Sequence, residues 1–452
     1  MATSESGAAP VRWSSRFAFL MAAIGSAVGL GNLWRFPFQT GQNGGSAFVF
    51  VYLLCVILIA FPILVAELSV GRHKGLSAVG STRNLAVDAG RSPRWAIAGW
   101  VGTVAAFLIL TTYSVIAGQV MAYSAMSFLG EFSASAADVA DTVTATEAGL
   151  SLYGSISAQL WWHFGFMLLT VIIVSRGLTG GIERVVTILM PLFFVMLLGL
   201  CIYALSTGAA GDALAYLFRP NFAAVHPETV LAALGQAFFS LGVGGAIMIT
   251  YGSYLPREEN IPNSAGIIAG ADTLVAIVAG LMIFPVVFAF SLDPAVGMGL
   301  IFDALPTVFA GMPAGAVVGG AFFFLAFIAA LTSSISLLQV VSSFAEEHTS
   351  LSKTTAALVF GGLAWFIGAG AVHAADFGAF VDFIAGSVVL PLGGLFIAVF
   401  AGWVVPREIM RGELPHANNA FFSAWRFMIR YAVPIAVLAI LLGGLNARFE
   451  VL

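Results

Sequence analysis

Apolar stretches of about twenty residues follow one another along the chain, separated by short polar segments. Eleven can be traced, at roughly 15–40, 46–70, 95–128, 159–175, 182–205, 228–254, 261–290, 314–345, 354–372, 377–404 and 420–446. About twenty helical residues cross the hydrocarbon of a bilayer, whereas barrel strands need only about ten. Hydrocarbon offers a backbone no outside partner, so helices are the predicted elements. Two spans break the pattern with glycine clusters at mid-depth. The first reads Ala23-Ile-Gly-Ser-Ala-Val-Gly-Leu-Gly-Asn32, and the sixth reads Phe238-Phe-Ser-Leu-Gly-Val-Gly-Gly-Ala246. One such cluster reads as close helix packing. Two, in the first and sixth spans, occupy the same place in two five-span halves. That pairing predicts discontinuous helices in an inverted repeat, where an unwound turn frees amides for an anion and carbonyls for a cation.

Charge sets the orientation. With the N-terminus inside, the inner side receives Arg12, Arg16, Arg72, Lys74, Arg83, Arg91, Arg94, Arg176, Arg184, Arg257, Lys353, Arg407, Arg411, Arg426 and Arg430. The outer side receives Arg219 and Arg448, and Arg35 lies within span one. The outer loop 129–158 holds Glu131, Asp138, Asp141 and Glu147 with no Lys or Arg. This asymmetry predicts a multi-pass protein of the inner (plasma) membrane, with its N-terminus cytoplasmic. An odd span count then puts the C-terminus outside. The expected organisation is a tail at 1–12, a core of ten helices at 13–404, and an eleventh helix with a short tail at 405–452.

Composition narrows the function. Of the 452 residues, 60% are hydrophobic and 9% charged, against about 25% charged in soluble domains. That excludes nucleic acid as a partner and leaves the lipid bilayer. Cys55 and Cys201 lie in separate apolar runs and support neither a disulfide framework nor a metal site. No HExxH, phosphate-binding glycine loop with Lys, or nucleophile elbow is present, so an enzyme is not expected. A channel would not need a closed pocket. Two carboxylates lie deep in apolar runs, Glu67 and Asp272, and each needs a partner or a proton there. His163, beside Trp161 and Trp162, reads as a residue of the membrane-edge aromatic belt.

Several motifs together resemble the neurotransmitter:sodium symporter family and its bacterial leucine-transporter-like members. The most specific is Gly25-Ser-Ala-Val-Gly-Leu-Gly-Asn-Leu-Trp-Arg-Phe-Pro37 with Asn43-Gly-Gly-Ser-Ala-Phe48. Phe238-Phe-Ser-Leu-Gly242, Thr250-Tyr-Gly-Ser-Tyr254 and Leu331-Thr-Ser-Ser334 add to it. The resemblance implies an all-α integral membrane fold with a 5+5 inverted repeat and helices 1 and 6 unwound. It also implies two Na+ sites. The first would use the Ala27 carbonyl, Asn32, Ser240, Asp272 and the substrate carboxylate. The second would use the Gly25, Val28 and Ala329 carbonyls with Thr332 and Ser333. Chloride-requiring relatives carry Asn at the place of Asp272 and Ser one turn later, where this chain has Ala276. A fixed carboxylate there implies chloride independence. Glu67 would brace the unwound turns.

The same resemblance implies a sodium-coupled amino-acid symporter. A substrate carboxylate would meet the amides near Leu30 and Gly31 and the Tyr113 hydroxyl. Gly29 stands where monoamine carriers have Asp, which favours an amino acid. The side-chain pocket would be Ile109, Phe239, Gly242, Gly245, Ser333 and Leu337. Gly245 replaces a Phe common in relatives, which predicts room for a bulky hydrophobic or aromatic side chain. The alternative is a small or non-α-amino acid or osmolyte: taurine, betaine or γ-aminobutyrate. Arg35 and Asp382, with Gln39, would form an outer gate. Arg12 and Glu347, with Tyr254 and Gln339, would form an inner one. Gly181 and Pro191 would let the inner end of span five unwind beside the second sodium site.

Overall fold

The computed structural model describes residues 11–132, 152, 154–290, 301–302 and 305–449. The first ten residues of the expected tail, and Asp138, Asp141 and Glu147 of the outer loop, lie outside the described residues. Every described element is helical. The helices used below are α1 (Arg16–Ala27), α2 (Gly31–Gln42), α3 (Ser46–Lys74), α4 (Ala78–Asp88), α5 (Pro93–Phe128), α6 (Ile156–Ser175) and α7 (Leu178–Leu205). They continue as α8 (Pro227–Ser240), α9 (Ile247–Gly252), α10 (Ile261–Ala289), α11 (Gly315–His348), α12 (Lys353–His373), α13 (Ala375–Val404), α14 (Arg407–Glu413) and α15 (Asn419–Phe449).

Among the described residues, nine helices are long and apolar enough to cross a bilayer alone, and α1 with α2 makes a tenth span bent by 50°. The eleventh expected span is α8 with α9. Neither half is long enough to cross by itself, because six residues between them leave the helix. Within that gap Gly242 has φ +60° and Gly244 φ +91°, conformations open to glycine at no steric cost. Ala246 follows at φ +56°, where an L-residue is strained by about 1–2 kcal/mol. Its methyl leaves no space at Gly102 of α5, where a Cβ would sit 2.7 Å away.

Polar caps mark where helices start. Ser15 accepts from the Ala18 amide, Asn260 from Asn263, Ser352 from Thr355 and Asn418 from Phe421. Gly75 ends α3 in the left-handed conformation, a usual helix stop. α11 is the axis of the bundle: 83% of its apolar window is buried, against 28% for α6, α7, α12 and α15, which present most of their surface outward. The broken spans pack beside α11, so their non-helical turns lie inside protein, where irregular backbone at membrane depth is tolerated.

His163 departs from the belt expected of it. It is fully buried, its Nε2 is 2.9 Å from Ser114 Oγ on α5, and its ring lies against Trp365 of α12. Gly118 and Gly368 make room for it. The two tryptophans before it masked an inward-facing position on α6.

Candidate functional site

α1 stops at Val28, whose ψ of 111° turns the chain out of the helix. Asn32 stitches the break from below: its Oδ1 accepts from the Gly29 amide at 2.9 Å. Its Nδ2 donates to Ser240 Oγ at 3.0 Å and to Asp272 Oδ1 at 2.8 Å. Ser240 Oγ in turn donates to Asp272 Oδ2 at 2.8 Å. Asn32, Ser240 and Asp272 are buried. The three expected side chains of the first ion site thus form one cluster at the junction of both broken spans. No basic group lies within ion-pair distance of Asp272 among the described residues. A carboxylate so placed and so surrounded needs a cation or a proton. Sodium, a hard cation that takes oxygen ligands, suits the Asn32 amide oxygen, the Ser240 hydroxyl and the freed carbonyls.

The second expected site lies where α1 meets α11. Ser333 Oγ, with one proton to give, lies within reach of the carbonyls of Ser26 (3.3 Å), Val28 (3.4 Å) and Ala329 (3.1 Å). Thr332 Oγ1 donates to the carbonyls of Ile328 and Ala329, each at 3.1 Å. Gly25 faces Thr332 across the same contact: a Cβ there would lie 3.2 Å from Thr332 Cβ and 2.9 Å from Met190 Sδ. Met190 precedes Pro191, the proline inside α7. The inner part of α7 therefore packs directly on this site.

Between the two oxygen clusters lies a cavity of about 60 Å³. All twelve expected substrate residues line it: Ala27, Gly29, Leu30, Gly31, Ile109, Tyr113, Phe239, Ser240, Gly242, Gly245, Ser333 and Leu337. The Leu30 amide points at the Tyr113 hydroxyl, 3.5 Å away. A Cβ at Gly29 would lie 3.0 Å from Ser333 Oγ and 3.2 Å from Tyr113 Oη, so a side chain here would press on both hydroxyls. Three lining residues escaped the sequence reading: Ser26, Ile247 and Leu390. Leu390 matters most. Its Cδ1 lies 3.5 Å from where a Cβ on Gly245 would sit, so α13 lines the space that the missing Phe would have occupied. Glu67 accepts from the freed Gly244 amide at 2.7 Å, which is the bracing expected of it.

The gates differ from expectation. Arg35 and Asp382 feel each other's charge but form no ion pair within 4 Å. Instead the Arg35 guanidinium lies over the Phe239 ring at 4.5 Å. A vestibule of about 380 Å³, lined by Arg35 and Gln39, adjoins the cavity, and Phe239 and Leu390 line both. Arg12 is exposed and pairs with no acid among the described residues. Glu347 accepts from the Ser77 amide at 2.5 Å and is thereby turned toward α4. Of the expected inner group, Gln339 and Tyr254 do meet, at 3.0 Å.

What fastens the inner end is a set of contacts that sequence reading missed. Trp13 donates from Nε1 to the Tyr251 carbonyl at 3.1 Å and from its amide to the Tyr254 carbonyl at 3.3 Å. Ser14 binds Glu183 of α7, and Arg16 pairs with Glu259 at 3.0 Å. Beside them Glu413 of α14 meets Arg72 (3.1 Å), Arg257 (2.6 Å) and His73 (2.9 Å). Asp88 holds the other face of His73 (2.9 Å) and Lys74 (2.7 Å). Burial alone would raise the Glu413 carboxyl, but His73, Arg257 and Arg72 together hold it below its ordinary value. Lys74 and His73 likewise lower Asp88. The run Arg72-His-Lys74 had read only as a positive anchor, and no local signal links it to an acid 341 positions on.

Comparison with known proteins agrees with this architecture. The family model described as "Sodium:neurotransmitter symporter family" matches residues 11–142 and 132–446. Among relatives, "Uncharacterized sodium-dependent transporter YhdH" of Bacillus subtilis (strain 168) is 36% identical, over 96% of this chain and 97% of its own length. The "Sodium-dependent neutral amino acid transporter B(0)AT2" of Bos taurus is 27% identical, over 61% of this chain and 40% of its own. The crystal structure of MhsT in complex with L-phenylalanine superposes with a TM-score of 0.87 at 39% identity. It covers 96% of this chain and 100% of that one.

Proposed function

The chain belongs to the sodium:neurotransmitter symporter family, and from that premise we propose that it takes up an α-amino acid with a bulky apolar or aromatic side chain by sodium-driven alternating access, without chloride. The observation that carries this reading is the buried Asp272, held by Asn32 and Ser240 and lacking any basic partner among the described residues. Its fixed charge would neutralise a sodium ion held by Asn32, Ser240 and the Ala27 carbonyl, leaving no work for a chloride. A second ion would use the Gly25, Val28 and Ala329 carbonyls with Thr332 and Ser333. The substrate carboxylate would complete the first site and meet Tyr113 and the Leu30 and Gly31 amides. Ion and carboxylate then share a site, so each raises the affinity of the other by the same factor. The basic face would be cytoplasmic and the C-terminus outside. MhsT, with its bound L-phenylalanine, supports the choice of substrate class.

One observation favours a smaller ligand. The cavity is about 60 Å³, less than the roughly 150 Å³ of a site that binds benzene. Any of these ligands requires the pocket to widen, and a small amino acid or osmolyte requires the least. Binding of radiolabelled leucine and tryptophan to purified protein separates the readings. It is measured in sodium chloride, sodium gluconate and potassium chloride, with alanine, betaine, taurine and γ-aminobutyrate as competitors. Binding that needs sodium, ignores chloride and prefers tryptophan or leucine supports the first reading. Competition won by betaine or taurine supports the second. Binding indifferent to sodium refutes both.

A further inference from the structure

Five arginines gather where α13 ends and α15 begins. Arg91 Nε and Arg426 Nη2 approach the consecutive carbonyls of Val404 and Val405, at 3.4 and 3.5 Å. Arg430 lies over the Trp403 ring at 4.2 Å, and Trp403 Nε1 donates to the Arg430 carbonyl at 3.0 Å. Arg407 and Arg411 stand over Phe422 at 5.6 and 5.2 Å. Phe422 and Arg430 each lie four positions from Arg426, so the three share one face of α15. Arg426 feels both Arg407 and Arg430 as charged neighbours, and Glu408 as the opposing acid.

This charge is poorly matched inside the protein. Among the described residues, none of the five has a carboxylate within 4 Å. Glu413, the nearest buried acid in sequence, is taken by Arg72, His73 and Arg257. The end of α13 supplies about half a negative charge. Arg411 Nη1, Arg426 Nη1 and Arg430 Nε are sealed from solvent without any acceptor, and a charged donor left so is costly. The surroundings face lipid: Trp403, Phe427 and Tyr431 are 49%, 57% and 44% exposed on the outward side of α13 and α15.

We propose that this cluster binds the phosphate headgroup of an anionic lipid in the leaflet of the basic face. Guanidinium groups bind phosphate oxygens in paired, charge-assisted hydrogen bonds. A guanidinium stacked on a ring keeps its edge donors free for that purpose. A small turn of Arg426 and Arg430 toward a phosphate gives their orphaned N–H groups an acceptor. The exposed rings beside them cover the first carbons of the acyl chains, contacts that a soluble phosphate does not use. Elsewhere on the same face Arg83 and Arg176 stand exposed with no ring contact, as ordinary membrane anchors do.

The test is native mass spectrometry of the full chain in detergent, titrated with phosphatidylglycerol or phosphatidylcholine. The wild type is expected to hold one phosphatidylglycerol at least tenfold more tightly than phosphatidylcholine. Arg426→Gln with Arg430→Gln should erase that preference, and Arg430→Lys, which keeps the charge but not the planar fork, should reduce it severalfold. Arg83→Gln with Arg176→Gln removes the same charge elsewhere on the face and should leave it intact. An equal loss in that control would mean diffuse attraction and overturn the site. So would a preference unchanged in the Arg426 and Arg430 pair. Thermal stabilisation of the wild type by millimolar inorganic phosphate, abolished in the same pair and matched by the lipid, would overturn the lipid as occupant. Sodium-dependent amino-acid binding by each variant shows that it is folded.

Discussion

Replacing Asp272 by Asn tests the electrostatic core of the site while changing its shape least. Both carboxylate oxygens are engaged, Oδ1 by Asn32 Nδ2 at 2.8 Å and Oδ2 by Ser240 Oγ at 2.8 Å. An ion ligated by Ser240 Oγ, itself 2.8 Å from Oδ2, would lie no more than about 5 Å from the charge. At an effective dielectric of about 20, two unit charges at that distance attract by about 3 kcal/mol. Since 1.4 kcal/mol is tenfold, Asp272→Asn should weaken sodium about 100-fold. The assay is sodium-dependent binding of a labelled amino acid in gluconate, with ionic strength held constant. In chloride the variant should recover part of the loss, because an anion drawn to the uncompensated ion can supply the missing negative charge nearby. The wild type should be indifferent to the swap.

The refuting result is an unchanged sodium midpoint in gluconate. Asn closely mimics a protonated carboxyl. If Asp272 carries a proton throughout ion binding, the substitution removes no charge and the midpoint stays put. That outcome would leave the hydrogen-bonded cluster as packing and remove the reason to expect chloride independence.

Asn32→Ala deletes both the proposed ligand oxygen and the donor to Asp272, so substrate binding should weaken and recover at high sodium; affinity independent of sodium would refute the shared site. Leu390→Ala removes three carbons from the wall beside Gly245. At about 0.8 kcal/mol per CH2 filled by ligand, or up to ~2.4 kcal/mol, affinity for tryptophan should rise by up to roughly fiftyfold relative to alanine in competition assays. An unchanged ratio would mean that Leu390 does not limit pocket size. Glu413 is held below its ordinary carboxyl value, so its contribution is present above that value and is lost as pH falls through the lower, folded one. Thermal stability should therefore decline as pH drops below about 4.5. Glu413→Gln should flatten that decline and cost about 3–5 kcal/mol at neutral pH, by leaving Arg72 unpaired.

The spans, the broken turns and the cavity could be read from the chain because their signals are local. Glycine clusters mark where helices fail, and positive φ at Gly242 and Gly244 is their direct consequence. The cavity wall was harder. Leu390 sits in an apolar run, Val388-Val-Leu-Pro391, that looks like any lipid-facing turn; only the crossing of α13 over the gap between α8 and α9 turns it inward. His163 was misread for the converse reason, since tryptophans at a helix end suggest an interface even when the next residue points into the bundle.

The inner gate shows a different limit. An Arg–acid pair was expected between Arg12 and Glu347, and sequence offered both residues near the right places. Pairing between charged side chains, however, depends on competition. Glu347 finds a backbone amide at Ser77 within 2.5 Å, a donor fixed by the start of α4, whereas Arg12 sits on the exposed segment before α1. A mobile exposed pair is worth at most about 1 kcal/mol, less than a charge-assisted bond to a fixed donor. The same competition explains why Trp13, Ser14 and Arg16, rather than Arg12, hold the start of α1. Their partners, Tyr251, Tyr254, Glu183 and Glu259, belong to the lower half of the sixth span, the inner end of α7 and the turn before α10. Each must be released if α1 is to swing away from α11. In the proposed alternating-access cycle the barrier to opening the basic face would therefore reside in several modest contacts distributed over three elements. Loss of any one should shift the balance between the two access states without abolishing either.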